Sequence, residues 1–377
     1  MTAQSVQPDR YITLAIHTYN NAQELRAILE AEGVEVKLQN VNLDNPEVSA
    51  GVRVRILEKD LPFALRIVEN PEIFKDVASP DAQCRHEVFV PVDFSPNSIK
   101  ACKYAFSIAD RHGSRIFLLH SYVAPYMENS LQLSQTLSYD DPVADSQELH
   151  DIRAISNDRM RDFEKTLREM IKRGELPPVK FSSQVIEGLP EDAIVKVAKD
   201  RCPIIIVMGT RGAGAKSREL VGSVTAEVLD SCRFPIFTVP DIPHDNNPER
   251  LPHIMMFVNL DQEDFIALDA LHRLLPQKVS AKVALVKLDK SPARANNSAF
   301  AALLGYAEQH YPQCHFSVSV TSIESLLDHF STSAPSALPD LIVVQNKKKN
   351  VFARLFNPGI AHRLLFHSDI PMMVIPV

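Results

Sequence analysis

No apolar run in this sequence approaches the about 20 residues that a helix needs to cross a bilayer. The longest, Pro203 to Met208 and Pro371 to Val377, are far shorter, so no membrane partner is expected. The opening residues, Met1 to Arg10, lack the basic patch and apolar stretch of a secretory signal. They read as a short disordered lead-in, and the chain is expected in the cytoplasm. Cysteine is sparse: the five (Cys84, Cys102, Cys202, Cys232, Cys314) form no CxxC pair. An odd, scattered set suits buried thiols in a reducing compartment better than a disulfide framework. Positive charge is also lacking. A net charge of -7 gives no electrostatic reason to bind a nucleic-acid backbone, with Lys347-Lys348-Lys349 the local exception. Finally, no Ser-His-Asp arrangement, nucleophile elbow or metal-ligand cluster can be defended from spacing. His120 is a candidate base, but it is better explained as a histidine satisfied within the fold. No catalytic residue and no metal ligand is assigned.

What is present is ordinary globular material, with 45% hydrophobic and 23% charged residues in 377. That length exceeds one hydrophobic core and implies two or three units. Residues 9–72 read as strand, helix, strand, strand, helix: Tyr11 to His17, Ala22 to Ala31 stopped by Gly33, Val34 to Leu43, Gly51 to Leu57, and Phe63 to Glu69 opened by Pro62. The product is a small α+β unit of ferredoxin-like type. A linker with Pro71 and Pro80 follows. Residues 85–241 alternate strands with helices: Val88 to Val92, Asn97 to Arg111, Arg115 to His120, Asp158 to Lys172, Val179 to Ile186, Glu191 to Asp200, Pro203 to Met208, Ser223 to Ser231 and Pro235 to Val239. That rhythm predicts a doubly wound parallel sheet with ligands at the carboxyl ends of its strands. The polar segment Ser121 to Ser156 is expected to be loop. Residues 251–377 repeat the plan more weakly. Ile254 to Leu260 with Asp261 echoes Val88 to Val92 with Asp93, and Ile370 to Val377 echoes Phe234 to Asp241 at a constant step of 136 residues.

The chemistry lies in the stretch from Gly209 to Ser223. Glycines at 209, 212 and 222 let backbone approach a ligand closely, and Gly222-Ser223 opens a helix whose free amides favour an anion. Arg211, Lys216 and Arg218 add charge, although solvated loop cations explain each of them as well. The P-loop pattern fails by one residue, because Ala215 stands between Gly214 and Lys216-Ser217. A dinucleotide fingerprint would follow the first strand, not the fourth.

The spacing Gly-x2-Gly-x9-Gly-Ser, from Gly209, Gly212, Gly222 and Ser223, together with Pro91-Val92-Asp93 at the end of a strand, resembles the universal stress protein family. The resemblance implies an α/β chain of two flavodoxin-like sheets in strand order 3-2-1-4-5, the first binding ATP and the second degenerate. It also implies nucleotide contacts at Pro91, Val92, Asp93, Ser121, Met208, Gly209, Arg211, Gly212, Gly222, Ser223 and Val224. Ribose falls to Asp93, the adenine edge to backbone near Val92 and Ser121, and phosphates to the glycines with Ser223 and Val224. The plainer role for Asp93 is capping the following helix, which Ser95 or Asn97 could also do. Asp140, Asp141 and Asp145 could hold Mg2+ on the phosphates, but a solvated loop accounts for them too. The second copy has Gln345, Lys348, Pro358 and Gly359 where the first has Gly209, Gly212, Gly222 and Ser223, so no ATP binding through that loop is expected. An internal pseudo-dimer joining Pro235 to Val239 with Met372 to Ile375 is implied, with further homodimerisation open. The first unit resembles a small prokaryotic signal-transducing domain through Leu61-Pro62 and the Gly51 to Leu57 strand. The expected function is stress-linked signalling by nucleotide-dependent binding to an unknown protein partner. A nucleotide-dependent hydrolase or transferase, and an adaptor with a vestigial site, are the alternatives.

Overall fold

Strands in this chain are of two kinds, and burial separates them. In β3 (Val52–Leu57), Val52, Val54 and Ile56 are buried while the residues between are half-exposed, the alternation of a sheet covered on one face. In β8 (Ile236–Val239) every residue is buried, as helices on both faces of a sheet require. The computed structural model describes residues 10–17, 19–40, 52–69, 87–123, 142–210, 223–240, 252–274, 280–289, 297–333, 337–346 and 370–376.

The N-terminal unit consists of β1 (Tyr11–His17), α1 (Tyr19–Ala31), β2 (Val36–Asn40), β3, a single 3-10 turn at Glu58–Asp60 and α2 (Leu61–Glu69). Its antiparallel sheet runs β1-β3-β2. Gly33, at φ 83, ends α1: its N–H reaches the Glu30 carbonyl and the Val34 N–H reaches that of Leu29. Ala22, Leu29, Val54, Ile56, Ala64 and Ile67 form the core between helices and sheet.

The larger sheet takes β4 (Glu87–Pro91), β5 (Arg115–Tyr122), β6 (Phe181–Glu187), β7 (Ile205–Gly209) and β8 from the middle of the chain. The C-terminal part supplies β9 (His253–Phe257), β10 (Lys282–Leu288), β11 (His315–Thr321), β12 (Leu341–Asn346) and β13 (Met372–Pro376). Between them lie α3 (Pro96–His112), α4 (Pro142–Lys172), α5 (Pro190–Arg201), α6 (Ser223–Ser231), α7 (Glu263–Leu274), α8 (Asn297–His310) and α9 (Ile323–Thr332). The strand order is β11-β10-β9-β12-β13-β8-β7-β4-β5-β6. Each half is parallel and ordered 3-2-1-4-5 in its own numbering. The halves meet at an antiparallel join, with Met372 opposite Thr238 and Val374 opposite Ile236. This is the pairing expected of the two last strands.

The halves agree in register as well as order. Ile206 faces Ile236 in one half, and Ile342 faces Met372 in the other, a step of 136 residues in both strands. Two apolar layers, one on each face of the sheet, run across the join: Phe237 and Met373 lie in one, Ile236 and Val374 in the other. Thr238, fully buried there, donates its hydroxyl to the Met372 carbonyl at 3.3 Å.

One expectation is corrected. The polar segment before Asp158 is not all loop, because α4 begins at Pro142 and runs 31 residues. Pro142 suits a first helical turn, and the Ala-, Gln- and Glu-containing stretch after it favours helix even without an apolar stripe.

Candidate functional site

Doubly wound sheets bind ligands where successive connections leave in opposite directions. In the first half that point lies between β4 and β7. These strands are parallel neighbours with Phe89 opposite Ile206, so Val92 and Gly209 emerge at the same sheet edge.

At this edge the chain after β4 turns sharply. The Val92 N–H bonds the Leu119 carbonyl at 2.8 Å, and Phe94 then adopts φ 64, a left-handed conformation uncommon for a non-glycine residue. Asp93 braces the turn: one carboxylate oxygen accepts the Ser95 N–H at 3.0 Å and the Ser98 hydroxyl at 2.7 Å. The Ser98 hydroxyl in turn accepts the Asp93 N–H at 3.0 Å. The helix cap itself is Ser95, whose hydroxyl accepts the Ser98 N–H at 3.3 Å, with Pro96 in the first turn. Asp93 is thus a turn brace at the crevice rather than the cap.

His120 stands beside it on β5. One imidazole nitrogen lies 2.8 Å from the Val92 carbonyl, and the ring packs 4.2 Å from that of Phe94. Burial pushes its pKa below the ordinary value, against the pull of the Val92 carbonyl and Asp93. The ring is therefore tied into the fold, as the plainer reading of the sequence expects.

The other expected positions fall as follows. Pro91 ends β4, Ser121 lies in β5 opposite Ile186, Met208 is buried in β7, and Gly209 closes β7 opposite Val239. Thr225 on α6 donates its hydroxyl to the Gly209 carbonyl at 3.0 Å, tying the helix start to the strand end. Ser223 opens α6 and Val224 follows it, half-buried. Arg211, Gly212, Lys216, Arg218 and Gly222 lie outside the described residues, as do Asp140, Asp141, Lys347 to Lys349, Pro358 and Gly359. Asp145 falls within α4, and only its backbone is described. Among the described residues, no group of three or more His, Cys, Asp or Glu side chains is placed to hold a metal ion. No helix among them is long and apolar enough to cross a membrane.

The second half has the same turn with different contents. The Val258 N–H bonds the Val286 carbonyl at 3.0 Å, and Leu260 takes φ 65. This fixes the equivalences: Leu260 stands for Phe94, Asn259 for Asp93 and Asp264 for Ser98. The expected match of Asp261 with Asp93 is thereby corrected, since Asp261 occupies the place of Ser95 and receives the Glu263 N–H at 3.1 Å.

Asp264 is fully buried. It accepts the backbone N–H groups of Asn259 at 3.1 Å, Leu260 at 2.7 Å and Asp261 at 3.2 Å. Gln345, in the position of Gly209, donates to the same carboxylate and accepts the Asn259 side-chain amide at 3.0 Å. Burial raises the Asp264 pKa, and the hydrogen bonds from Asn259, Gln345 and Leu260 draw it back. The crevice of the second half is bridged by its own side chains, whereas that of the first has a glycine at the bridging position. Sequence reasoning paired Gln345 with Gly209 but missed this clasp. The available signal was an amide side chain ending an otherwise apolar strand.

Residues 85–240 match the model of the universal stress protein family. Two curated universal stress proteins of Methanocaldococcus jannaschii are similar to this stretch. One is 27% identical over 154 residues, 41% of this chain and 81% of the relative. The other is 26% identical over 156 residues, 41% of this chain and 93% of the relative. Among solved structures, a universal stress protein from Archaeoglobus fulgidus covers 77% of this chain and 96% of its own, with TM-score 0.53 and 16% identity. That likeness is one of fold, and its coverage reaches past the residues matched by the family model.

Proposed function

We propose that this chain is a cytoplasmic universal stress protein that binds one adenine nucleotide, ATP, at the switch point between β4 and β7. It acts through nucleotide-dependent binding of a protein partner rather than through fast catalysis. The carrying observation is the contrast between the halves: Gly209 has no side chain with which to bridge the first crevice, while Gln345 bridges the second to Asn259 and Asp264. The matching register of the strands supports reading the C-terminal half as a degenerate second domain of the same family. The N-terminal unit is then an added signalling module.

In this reading Asp93 receives the ribose, the backbone near Val92 and Ser121 receives the adenine edge, and Gly209, Gly212, Gly222, Ser223 and Val224 hold the phosphates, with Arg211 nearby and Mg2+ as companion. The backbone amides and the helix start suit a phosphate chain because they present N–H donors and a positive dipole end. Calorimetric titration of the full chain with Mg-ATP is the test. One nucleotide per chain is expected. Two per chain would overturn the assignment of the second half, and none in a folded protein would overturn the nucleotide reading in favour of an adaptor.

A further inference from the structure

The larger sheet ends in two edges, β6 and β11, and among the described residues each of these strands pairs with one neighbour only. An open edge carries a row of unpaired backbone groups, so charges, prolines or bulges usually guard it. β6 has Lys180 just before it and Glu187 at its end. β11 (HFSVSVT) contains no Pro, Lys, Arg, Asp or Glu, and its seven residues run beside β10 in unbroken register. At its middle, Val318 is 43% exposed.

The direction of the backbone groups is fixed at both ends of β11. The His315 N–H bonds the Ala281 carbonyl at 2.8 Å, and the Thr321 carbonyl accepts the Asp289 N–H at 2.9 Å, so the odd-numbered residues turn toward β10. The N–H and C=O groups of Phe316, Val318 and Val320 therefore point outward. The side chains of these three share one face, where Phe316 and Val320 pack against the apolar layer that holds Phe300 and Leu303 of α8. Ser317 and Ser319, both exposed, lie on the other face.

This strand is complementary to itself. A two-fold axis through Val318, perpendicular to the sheet, sets two copies antiparallel, with Phe316 opposite Val320, Ser317 opposite Ser319 and Val318 opposite its own mate. Each outward-pointing residue then exchanges both backbone hydrogen bonds with its counterpart. Apolar side chains meet on one face and hydroxyls on the other. The same operation through Gln184 of β6 would set Phe181 against Glu187.

The helix beside the edge fits the same axis. α8 packs on β11, and its Tyr306 turns toward Phe265 of α7. On the flank away from α7 it presents Ala301, Leu304, Gly305 and Glu308, all exposed but for the half-buried Leu304. The axis keeps α8 and its mate on one face of the joined sheet, as antiparallel neighbours meeting along that flank. Glycine is a poor residue inside a helix, and no atom among the described residues lies within 4 Å of where a Cβ on Gly305 would stand. Close approach of a second helix gives that glycine a reason.

We propose that β11 and α8 form a two-fold interface through which a second copy of this chain joins its ten-stranded sheet to the first. Self-complementarity selects an identical partner over an unrelated strand.

Sedimentation velocity of the full chain tests this at micromolar concentration, where interfaces of ordinary size associate. A concentration-dependent dimer is expected. Val318→Lys, which sets two ammonium groups face to face, should weaken it at least about tenfold. Gly305→Leu should weaken it too, while leaving the chain folded and no less stable to heat, because its side chain would enter open space. Register is read by oxidising Ser317→Cys and Ser319→Cys chains that also carry Cys84→Ser and Cys202→Ser. The two positions face each other as a non-hydrogen-bonded pair, with Cα atoms about 4.5 Å apart and within disulfide reach. A covalent dimer should form in the mixture and not in either chain alone. A native chain that stays monomeric would overturn the proposal, as would a dimer that Val318→Lys leaves intact or cross-linking that ignores the pairing.

Discussion

Importing the second half's solution into the first gives the sharpest test of the crevice. In Gly209→Gln, the same strand end that presents Gln345 toward Asn259 and Asp264 would present an amide toward Asp93 and Ser98. To admit a nucleotide, that amide must give up its hydrogen bonds. One to a neutral partner contributes about 1 kcal/mol and one to a carboxylate about 1.5 to 3 kcal/mol. The total, about 2.5 to 4 kcal/mol, corresponds to a dissociation constant weakened by roughly 70- to 1,000-fold. Calorimetry with Mg-ATP on the native chain and the variant measures this directly, with circular dichroism checking that the variant folds. A folded variant that binds within about twofold of the native chain would refute the reasoning, because a factor of two is worth only about 0.4 kcal/mol.

Two further outcomes are expected. Asp264→Ala leaves three backbone N–H groups without their buried acceptor, so it should cost about 3 kcal/mol or more in urea denaturation, with the loss confined to stability. Among Cys102, Cys202, Cys232 and Cys314, only Cys202 is not buried, and burial raises the pKa of the other three thiols. Native-state alkylation followed by peptide mass mapping should therefore mark Cys202 before Cys102, Cys232 and Cys314.

Strand identity was legible because a parallel strand buried on both faces is a near-continuous apolar run; Ile205–Gly209 is such a run, and Ile236–Val239 departs from it only at Thr238. The repeat was legible at its C-terminal end because the ladder contacts of β7, β8, β12 and β13 keep a fixed step. It was misread near β9 because a match was sought between acids, Asp93 and Asp261, while the fold conserves a backbone turn. The left-handed residues Phe94 and Leu260, with the matching backbone bonds of Val92 and Val258, reveal the true pairing, and nothing in Phe or Leu announces positive φ. The first turns of α4 were hidden for a related reason: a helix without an apolar stripe has no period to read. The clasp of Gln345 with Asp264 joins residues 81 positions apart, so the local signal, an amide at the end of an apolar strand, could not name its partner.

The join between β8 and β13 sets a condition on how this molecule can change. In a pair of identical subunits every substitution occurs twice, so an amide that closed one crevice would close both. Here the two halves share one chain and one continuous sheet, and Gln345 can exist without a counterpart at Gly209. Covalent linkage also keeps the partner strand present at fixed proximity, independent of protein concentration. The molecule can therefore have unequal halves without losing the interface between them.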